Sequence, residues 1–164
     1  EEAEYLATAQ RGLAAGEFLY NYTLETTRSF RALKIWMMLK HHGVARFGAL
    51  IDRNLDQARY LGQRVEDDPA LDLLAPVATS VVCFRYNPGG MEEAVLDDLN
   101  RELLLQLQEA GIAAPSGTTI RGRYALRTAF CNHRTRIEDI DTMLDAVRRI
   151  GAVLEDVPPA ARTA

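Results

Sequence analysis

The sequence lacks an apolar run of the roughly 18 residues that a membrane-spanning helix needs, and no signal-peptide pattern is visible in it. Its formal net charge of −4 gives no electrostatic reason to expect nucleic acid or an anionic membrane as a partner. Both cysteines, Cys83 and Cys131, lie in apolar, strand-like runs. We therefore expect a cytoplasmic protein with buried free thiols, a disulfide or metal site being the less favoured alternative.

The sequence also lacks the short motifs of a self-sufficient active site. It has no Gly-rich phosphate loop, no His-x-x-x-His metal spacing and no nucleophile elbow. His41 and His42 stand where a predicted helix ends, and there they favour stabilisation of the helix dipole over metal binding. His133 falls in a predicted turn. The residues predict no metal site.

What is present is a regular alternation of helical and extended patterns. Apolar residues at three- and four-residue spacing predict helices over 27–42, 44–65, 96–107 and 137–154, the last one preceded by a capping box at Thr135. Extended patterns cover 71–75, 80–86 and 124–131, with a further segment over 112–120 that Pro115-Ser116-Gly117 is expected to break. Val81–Phe84 is apolar on both faces, which predicts a strand covered on both sides. The order predicts an α+β fold (an α/β sandwich), in which helices cover a small, mostly antiparallel sheet.

The residue sequence of the first helix is more specific than its apolar spacing. Arg28-Ser29-Phe30-Arg31-Ala32-Leu33-Lys34-Ile35-Trp36, followed by a glycine at position 43, resembles the pyridoxal-phosphate-dependent amino-acid decarboxylases related to aromatic-amino-acid, histidine and glutamate decarboxylase. The resemblance extends over essentially the whole chain. It is strongest at Arg28–Gly43, moderate at Val81–Arg85 and at Tyr124–Cys131, and weak elsewhere.

The resemblance implies a C-terminal portion of such an enzyme. It implies a mobile catalytic-loop or linker segment over 1–25, a helical connection over 26–66, a C-terminal small domain over 67–157 and a flexible tail over 158–164. The chain opens at Glu1 without an initiator methionine, and we expect a fragment. The parent protein is expected to be a homodimer that carries an N-terminal large domain missing here.

The resemblance also implies pyridoxal phosphate as the cofactor of the parent enzyme. Such a cofactor is bound through a lysine. The two lysines present, Lys34 and Lys40, lie in the first helix and not in an Asp-x-His-Lys setting. We therefore expect no cofactor-binding residue in this fragment, and we expect the fragment alone to be inactive.

Three residues match positions with a family role. The resemblance implies that Tyr5 protonates the carbanionic carbon after carbon dioxide leaves; the alternative is an aromatic anchor. It implies that Thr27 lines the pocket for the substrate side chain, a role compatible with a helix N-cap. It implies that Arg127 holds the substrate carboxylate, whereas the residues alone favour a solvent-facing or structurally paired arginine.

The leading hypothesis is therefore a fragment of an enzyme that decarboxylates an L-amino acid. A close alternative is the small domain of another fold-type-I pyridoxal-phosphate enzyme. A third, non-enzymatic alternative is an α+β domain for dimerisation or partner binding. It draws on the large apolar side chains of the first helix, among them Phe30 and Trp36.

Overall fold

The computed structural model describes Tyr22 and residues 29–158. The chain forms two compact units, Glu1–Gly43 and Val44–Ala164. The predicted site residues Tyr5 and Thr27 lie outside the described residues.

The first unit contributes one described helix, α1, which spans Arg31–His42. It ends as predicted, at Gly43, which adopts a positive φ of 79°. The basic residues of its last turn lie beside the carbonyl end of the helix dipole. None of its residues is buried. Ile35 and Trp36 are 65% and 58% exposed. The apolar side chains of α1 are therefore exposed.

The second unit holds the remaining described elements, in which two pairs of strands lie between three helices. They are α2 (Val44–Glu66), β1 (Leu71–Leu73), β2 (Val81–Tyr86), α3 (Glu93–Glu109), β3 (Ser116–Ile120), β4 (Arg123–Ala129) and α4 (Ile137–Glu155). Among the described helices, none combines the length and the apolar character needed to cross a bilayer.

The four strands form one antiparallel sheet in the order β1-β2-β4-β3. The predicted break at Ser116-Gly117 is wrong, because both residues lie within β3. The side chain of Tyr124 covers Gly117: a Cβ atom built there would lie 2.1 Å from the tyrosine oxygen. The ring of Tyr124 thus fills the space that a side chain at Gly117 would occupy, and the strand continues through the glycine.

The hydrophobic core lies between one face of the sheet and the helices of the second unit. β2 and β4 direct alternate residues into it, with Phe84 opposite Leu126 and both 0% exposed. Burial of one such side chain stabilises the fold by about 2–3 kcal/mol. Helices α2, α3 and α4 supply the other core side chains, including Leu61, Leu99, Leu103 and Leu144. The predicted α+β fold is confirmed.

The opposite face of the sheet carries no helix among the described residues. We call it the open face. By strand alternation its members are Asp72, Val81, Cys83, Arg85, Ser116, Thr118, Ile120, Arg123, Ala125, Arg127 and Ala129. The prediction that Val81–Phe84 is covered on both sides is therefore wrong, since Val81 and Cys83 are only half-buried. The expectation of two buried thiols fails as well: both are free, but Cys131 is exposed.

Candidate functional site

Of the three predicted site residues, Arg127 is the one that the structure describes. It lies near the middle of the open face on β4 and its side chain is exposed. Among the described residues, no hydrogen bond or ion pair engages its guanidinium. The group is therefore a cation that is available to an anionic ligand.

The surroundings of Arg127 consist of small side chains. Ala125 and Ala129 are its same-face neighbours along β4, Cys83 lies opposite on β2, and Ser116 lies opposite on β3. None of the four is long enough to compete for the space above the sheet. A flat guanidinium in such a position can meet a carboxylate with two parallel hydrogen bonds.

The thiol of Cys83 is a neutral neighbour rather than a nucleophile. Its burial raises its pKa above the ordinary value, and the nearby charge of Arg127 acts in the opposite direction without cancelling the effect of burial. A thiol with a raised pKa carries little thiolate at neutral pH. Cys83 therefore contributes shape, and not nucleophilic chemistry, to the open face.

A second arginine on the same face is fully engaged. Arg85 is 3% exposed; its Nε donates to Asp72 Oδ2 at 3.0 Å, and its Nη1 donates to Glu93 Oε1. Asp97 Oδ1 lies 4.0 Å from Arg85 Nη1. The hydrogen bond from Arg85 lowers the pKa of Glu93. Arg85 is thus neutralised by carboxylates, whereas no carboxylate of the described residues pairs with Arg127.

The sequence patterns did not lead to a prediction of this cluster, although a signal was present. Arg85 continues the apolar run Val81–Phe84, and an arginine that is buried in a strand requires acidic partners. Asp72 and Glu93, on either side of Arg85 along the chain, are the partners found. The cluster joins β1 and the start of α3 to the central strand, so its role is structural.

A cavity of the described part lies beside β1, and its lining does not include Arg127. It has a volume of about 600 Å³, and its lining includes Glu66, Asp72 and Arg123. The charges of this lining are mixed, and the cavity opens widely to solvent. It supplies no set of convergent groups that selects a ligand.

The described residues also offer neither a metal centre nor a reactive amine. Within residues 29–158, no three His, Cys, Asp or Glu side chains converge in a way that holds a metal ion. Lys34 and Lys40 lie on α1, where both are exposed. The open face around Arg127 is therefore the candidate site.

Comparison with known proteins gives consistent matches. The family model described as "Pyridoxal-dependent decarboxylase conserved domain" matches residues 2–87. Tyrosine decarboxylase 3 of Petroselinum crispum is 30% identical, with 85% of this chain and 31% of the relative covered. Phenylacetaldehyde synthase of Arabidopsis thaliana is 34% identical, with 62% of this chain and 21% of the relative covered.

The fold has solved counterparts as well. The crystal structure of Oryza sativa TDC with PLP and tryptamine superposes with a TM-score of 0.76 at 26% identity. The match covers 83% of this chain and 29% of the rice chain. This chain therefore spans about a third, or less, of the length of the proteins it matches.

Proposed function

Because this chain belongs to the family of pyridoxal-dependent decarboxylases, we propose that it is the C-terminal part of an enzyme that removes carbon dioxide from an L-amino acid. The resemblance seen at Arg28–Trp36 predicted this family, and the prediction is confirmed. Since the chain spans about a third of its relatives, the activity belongs to the longer protein. The cofactor of that protein is pyridoxal phosphate.

The roles of the successive segments of the chain are also a proposal. Residues 1–25 serve as a catalytic loop or linker, 26–66 as a helical connection, 67–157 as the small domain and 158–164 as a flexible tail. The packing of Leu61 and Val65 in the core supports a tight attachment of the connection to the small domain. The partners proposed for the chain are the missing large domain and a second copy of the complete enzyme.

We propose that the residues that bind pyridoxal phosphate lie outside the described part of the chain. The lysines Lys34 and Lys40 stand exposed on α1, which supports this placement. When bound, this cofactor draws electron density away from the bond that breaks. The groups that bind it therefore belong to the missing part, and we propose that this fragment alone is inactive.

The role proposed for Arg127 is to hold a carboxylate of the substrate. The observation that carries this role is the unpaired guanidinium among small side chains on the open face. The contrast with Arg85 supports it, because the acidic residues nearby are already bound to that arginine. A carboxylate held by two hydrogen bonds is fixed in both position and orientation.

Tyr5 and Thr27 complete the proposed set of functional residues. Tyr5 is proposed to return a proton to the carbon that has lost carbon dioxide, since a phenol of pKa about 10 is a competent donor to a carbanion. Thr27 is proposed to hydrogen-bond a polar end of the substrate. The net charge of −4 and the free thiols support a cytoplasmic location without a nucleic-acid or membrane partner.

The direct test is to supply the complete protein with pyridoxal phosphate and to profile it across aromatic, acidic and diamino acids. Release of carbon dioxide from at least one class is expected. Loss of turnover in Tyr5→Phe, with the cofactor still bound, is expected if Tyr5 donates the proton. The 164-residue chain mixed with pyridoxal phosphate is expected to show no visible absorbance band from a lysine adduct. Such a band would contradict the placement of the cofactor site elsewhere.

A second candidate is aldehyde formation by the same family, which the match to the phenylacetaldehyde synthase favours. Product analysis of the profiling reaction separates the two: a decarboxylase yields the amine, whereas a synthase of this kind yields the aldehyde. A non-enzymatic role in dimerisation is supported by the exposed apolar side chains of α1. Turnover by the complete protein would exclude it as the sole function.

A further inference from the structure

The position of Arg127 between two neighbouring strands raises the question of which way its side chain lies. Cys83 is directly opposite on β2 and Ser116 is directly opposite on β3. In antiparallel pairs such neighbours have Cβ atoms about 4.5–5.5 Å apart. Both are small, so the long side chain has room on either side.

The two sides are not equivalent. Ser116 lies on the edge strand, is exposed, and donates its hydroxyl to the carbonyl oxygen of Arg127 at 3.4 Å. Cys83 lies on the central strand β2 and is half-buried. The charge of Arg127 acts on the thiol of Cys83. Cys83 is half-buried although no described helix covers the open face, whereas Ser116 is exposed, so the long side chain of Arg127 covers the thiol and its guanidinium lies on the Cys83 side.

We propose that Cys83 is a positioning residue for Arg127. Its small side chain leaves the space above the central strands in which the Arg127 side chain lies, and so determines where the guanidinium meets a carboxylate. This inference rests on the proposed function, in which Arg127 binds the substrate carboxylate. It goes beyond that function by giving a second residue a part in substrate placement.

Among the open-face neighbours of Arg127, Cys83 is the residue that sets the position of the guanidinium. Arg85, the next open-face residue along β2, is bound to Asp72 and Glu93 and does not turn toward the thiol. The alanines beside Arg127 on β4 are shorter than a cysteine. A larger side chain at position 83 would fill the space and displace the guanidinium toward the edge strand.

The first experiment tests the placement in the 164-residue chain and needs no activity. In a Cys131→Ser background, the rate of Cys83 alkylation by iodoacetamide is measured against pH. Arg127→Met is expected to move the midpoint upward by up to about one pH unit, since a nearby cation favours the thiolate. The alkylation midpoint of Arg127→Lys is expected to lie between those of the Cys131→Ser parent and Arg127→Met. Circular dichroism checks that each variant is folded.

The second experiment uses the complete enzyme with pyridoxal phosphate and its best substrate. Cys83→Leu is expected to lower kcat/KM by roughly tenfold to a hundredfold, because a displacement of about 1 Å has an effect of this size. Cys83→Ala, which keeps the space, is expected to stay within about threefold, a difference worth under 1 kcal/mol. Ser116→Leu is the matched control on the opposite side of Arg127 and is expected to cost less than Cys83→Leu.

The outcomes separate this inference from the function on which it rests. An unchanged alkylation midpoint in Arg127→Met would show that the cation is not beside the thiol, and would overturn the inference whatever the role of Arg127. An equal loss in Cys83→Ala and Cys83→Leu would also overturn it, because the space would then not matter. Full activity of Arg127→Met would instead overturn the proposed substrate role of Arg127.

Discussion

The ring of Tyr86 lies directly against the backbone of Gly151 in α4. A Cβ atom at Gly151 would come within 2.7 Å of two ring carbons, which is closer than real Cβ atoms approach other atoms. Gly151 is buried, and Tyr86 is 4% exposed. The end of the central strand and the last helix are thus held together at a contact that requires glycine.

Gly151→Ala is expected to destabilise the second unit by about 1–3 kcal/mol, as overpacking of a tight core does. The gain in helix propensity, at most about 1 kcal/mol, offsets part of this loss. Gly48→Ala is the control, because it lies in α2 with nothing within 4 Å of the added atom. Gly48→Ala is expected to raise the free energy of unfolding. Urea denaturation of both variants measures the difference, and a stable Gly151→Ala variant would contradict the contact.

Asn100 uses its side chain as a substitute for a strand neighbour. It is 0% exposed; its Oδ1 accepts from the backbone N–H of Tyr86, and its Nδ2 donates to the Tyr86 carbonyl, each at 2.8 Å. Asn100→Leu leaves both backbone groups unpaired, so a loss of about 2–4 kcal/mol is expected. Amide exchange at Tyr86, followed by NMR, should accelerate. Unchanged protection of that amide would show that another group pairs with it.

The ion pair between Asp68 and Arg148 predicts part of the acid sensitivity. Burial alone would raise the pKa of Asp68, but the hydrogen bond from Arg148 and the Ala70 N–H lower it below the ordinary value of 3.8. A lowered pKa in the folded state gives stability that is complete above the unfolded-state pKa and disappears as the pH falls through the folded-state pKa. Unfolding free energies measured from pH 6 downward should show this loss.

The variant Asp68→Asn should remove that part of the acid dependence. Its expected loss at neutral pH is about 1 kcal/mol or less, given the partial exposure of the pair. Asp145→Asn is a suitable control, since Asp145 also binds Arg148 but is largely exposed. Identical acid profiles for the wild type and Asp68→Asn would refute the contribution of this carboxylate.

Sequence periodicity predicted the helices of the second unit well. The apolar stripes of α2 and α4 are long, and stripes of that length are the most reliable local signal. The observed helices span Val44–Glu66 and Ile137–Glu155, close to the predicted 44–65 and 137–154. These elements follow from their own residues, because each stripe becomes the face that enters the core.

Features that depend on distant partners were not predicted. β3 runs through Ser116 and Gly117 because the ring of Tyr124, on the adjacent strand, replaces the missing side chain. The predicted cap at Thr135 is wrong by one residue: Asp139 accepts from the backbone N–H of Arg136 at 2.9 Å. The Thr135 carbonyl instead accepts from Gln57 of α2 at 2.6 Å. Local patterns do not contain such tertiary contacts.

The candidate site was predicted in part for the same reason. Alternation along β4 placed Arg127 between two alanines, and the structure places it so. The pairing with Cys83 depends on the register between two strands that are far apart in the sequence. No local pattern sets that register, which emerges when the two strands find their partners.

Trp36 is the single tryptophan of the chain and reports on the cover of α1. It is 58% exposed, so the isolated chain should show red-shifted emission that iodide quenches readily. In the complete enzyme the emission should shift to the blue and resist quenching, because an apolar helix of this kind is expected to be buried. Equal quenching in the two proteins would indicate that the missing part leaves α1 uncovered.

Substitution of Arg127 tests its proposed role by two chemically different losses. Arg127→Lys keeps the positive charge but loses the planar pair of hydrogen bonds, so kcat/KM should fall about tenfold. Arg127→Met loses both and should fall by about a hundredfold or more. Steady-state kinetics of the complete enzyme measures both values. A lysine variant as active as the wild type would mean that charge alone suffices.

The order of the strands has a consequence for how the second unit folds. The centre of the sheet is the pair β2–β4, in which Phe84 lies opposite Leu126, 42 positions later in the chain. A loop of that length, with α3 and β3 inside it, must close before the central pair forms. Substitutions at Phe84 or Leu126 should therefore slow refolding as much as they speed unfolding, and the hairpin β3–β4 is free to form earlier as a local unit.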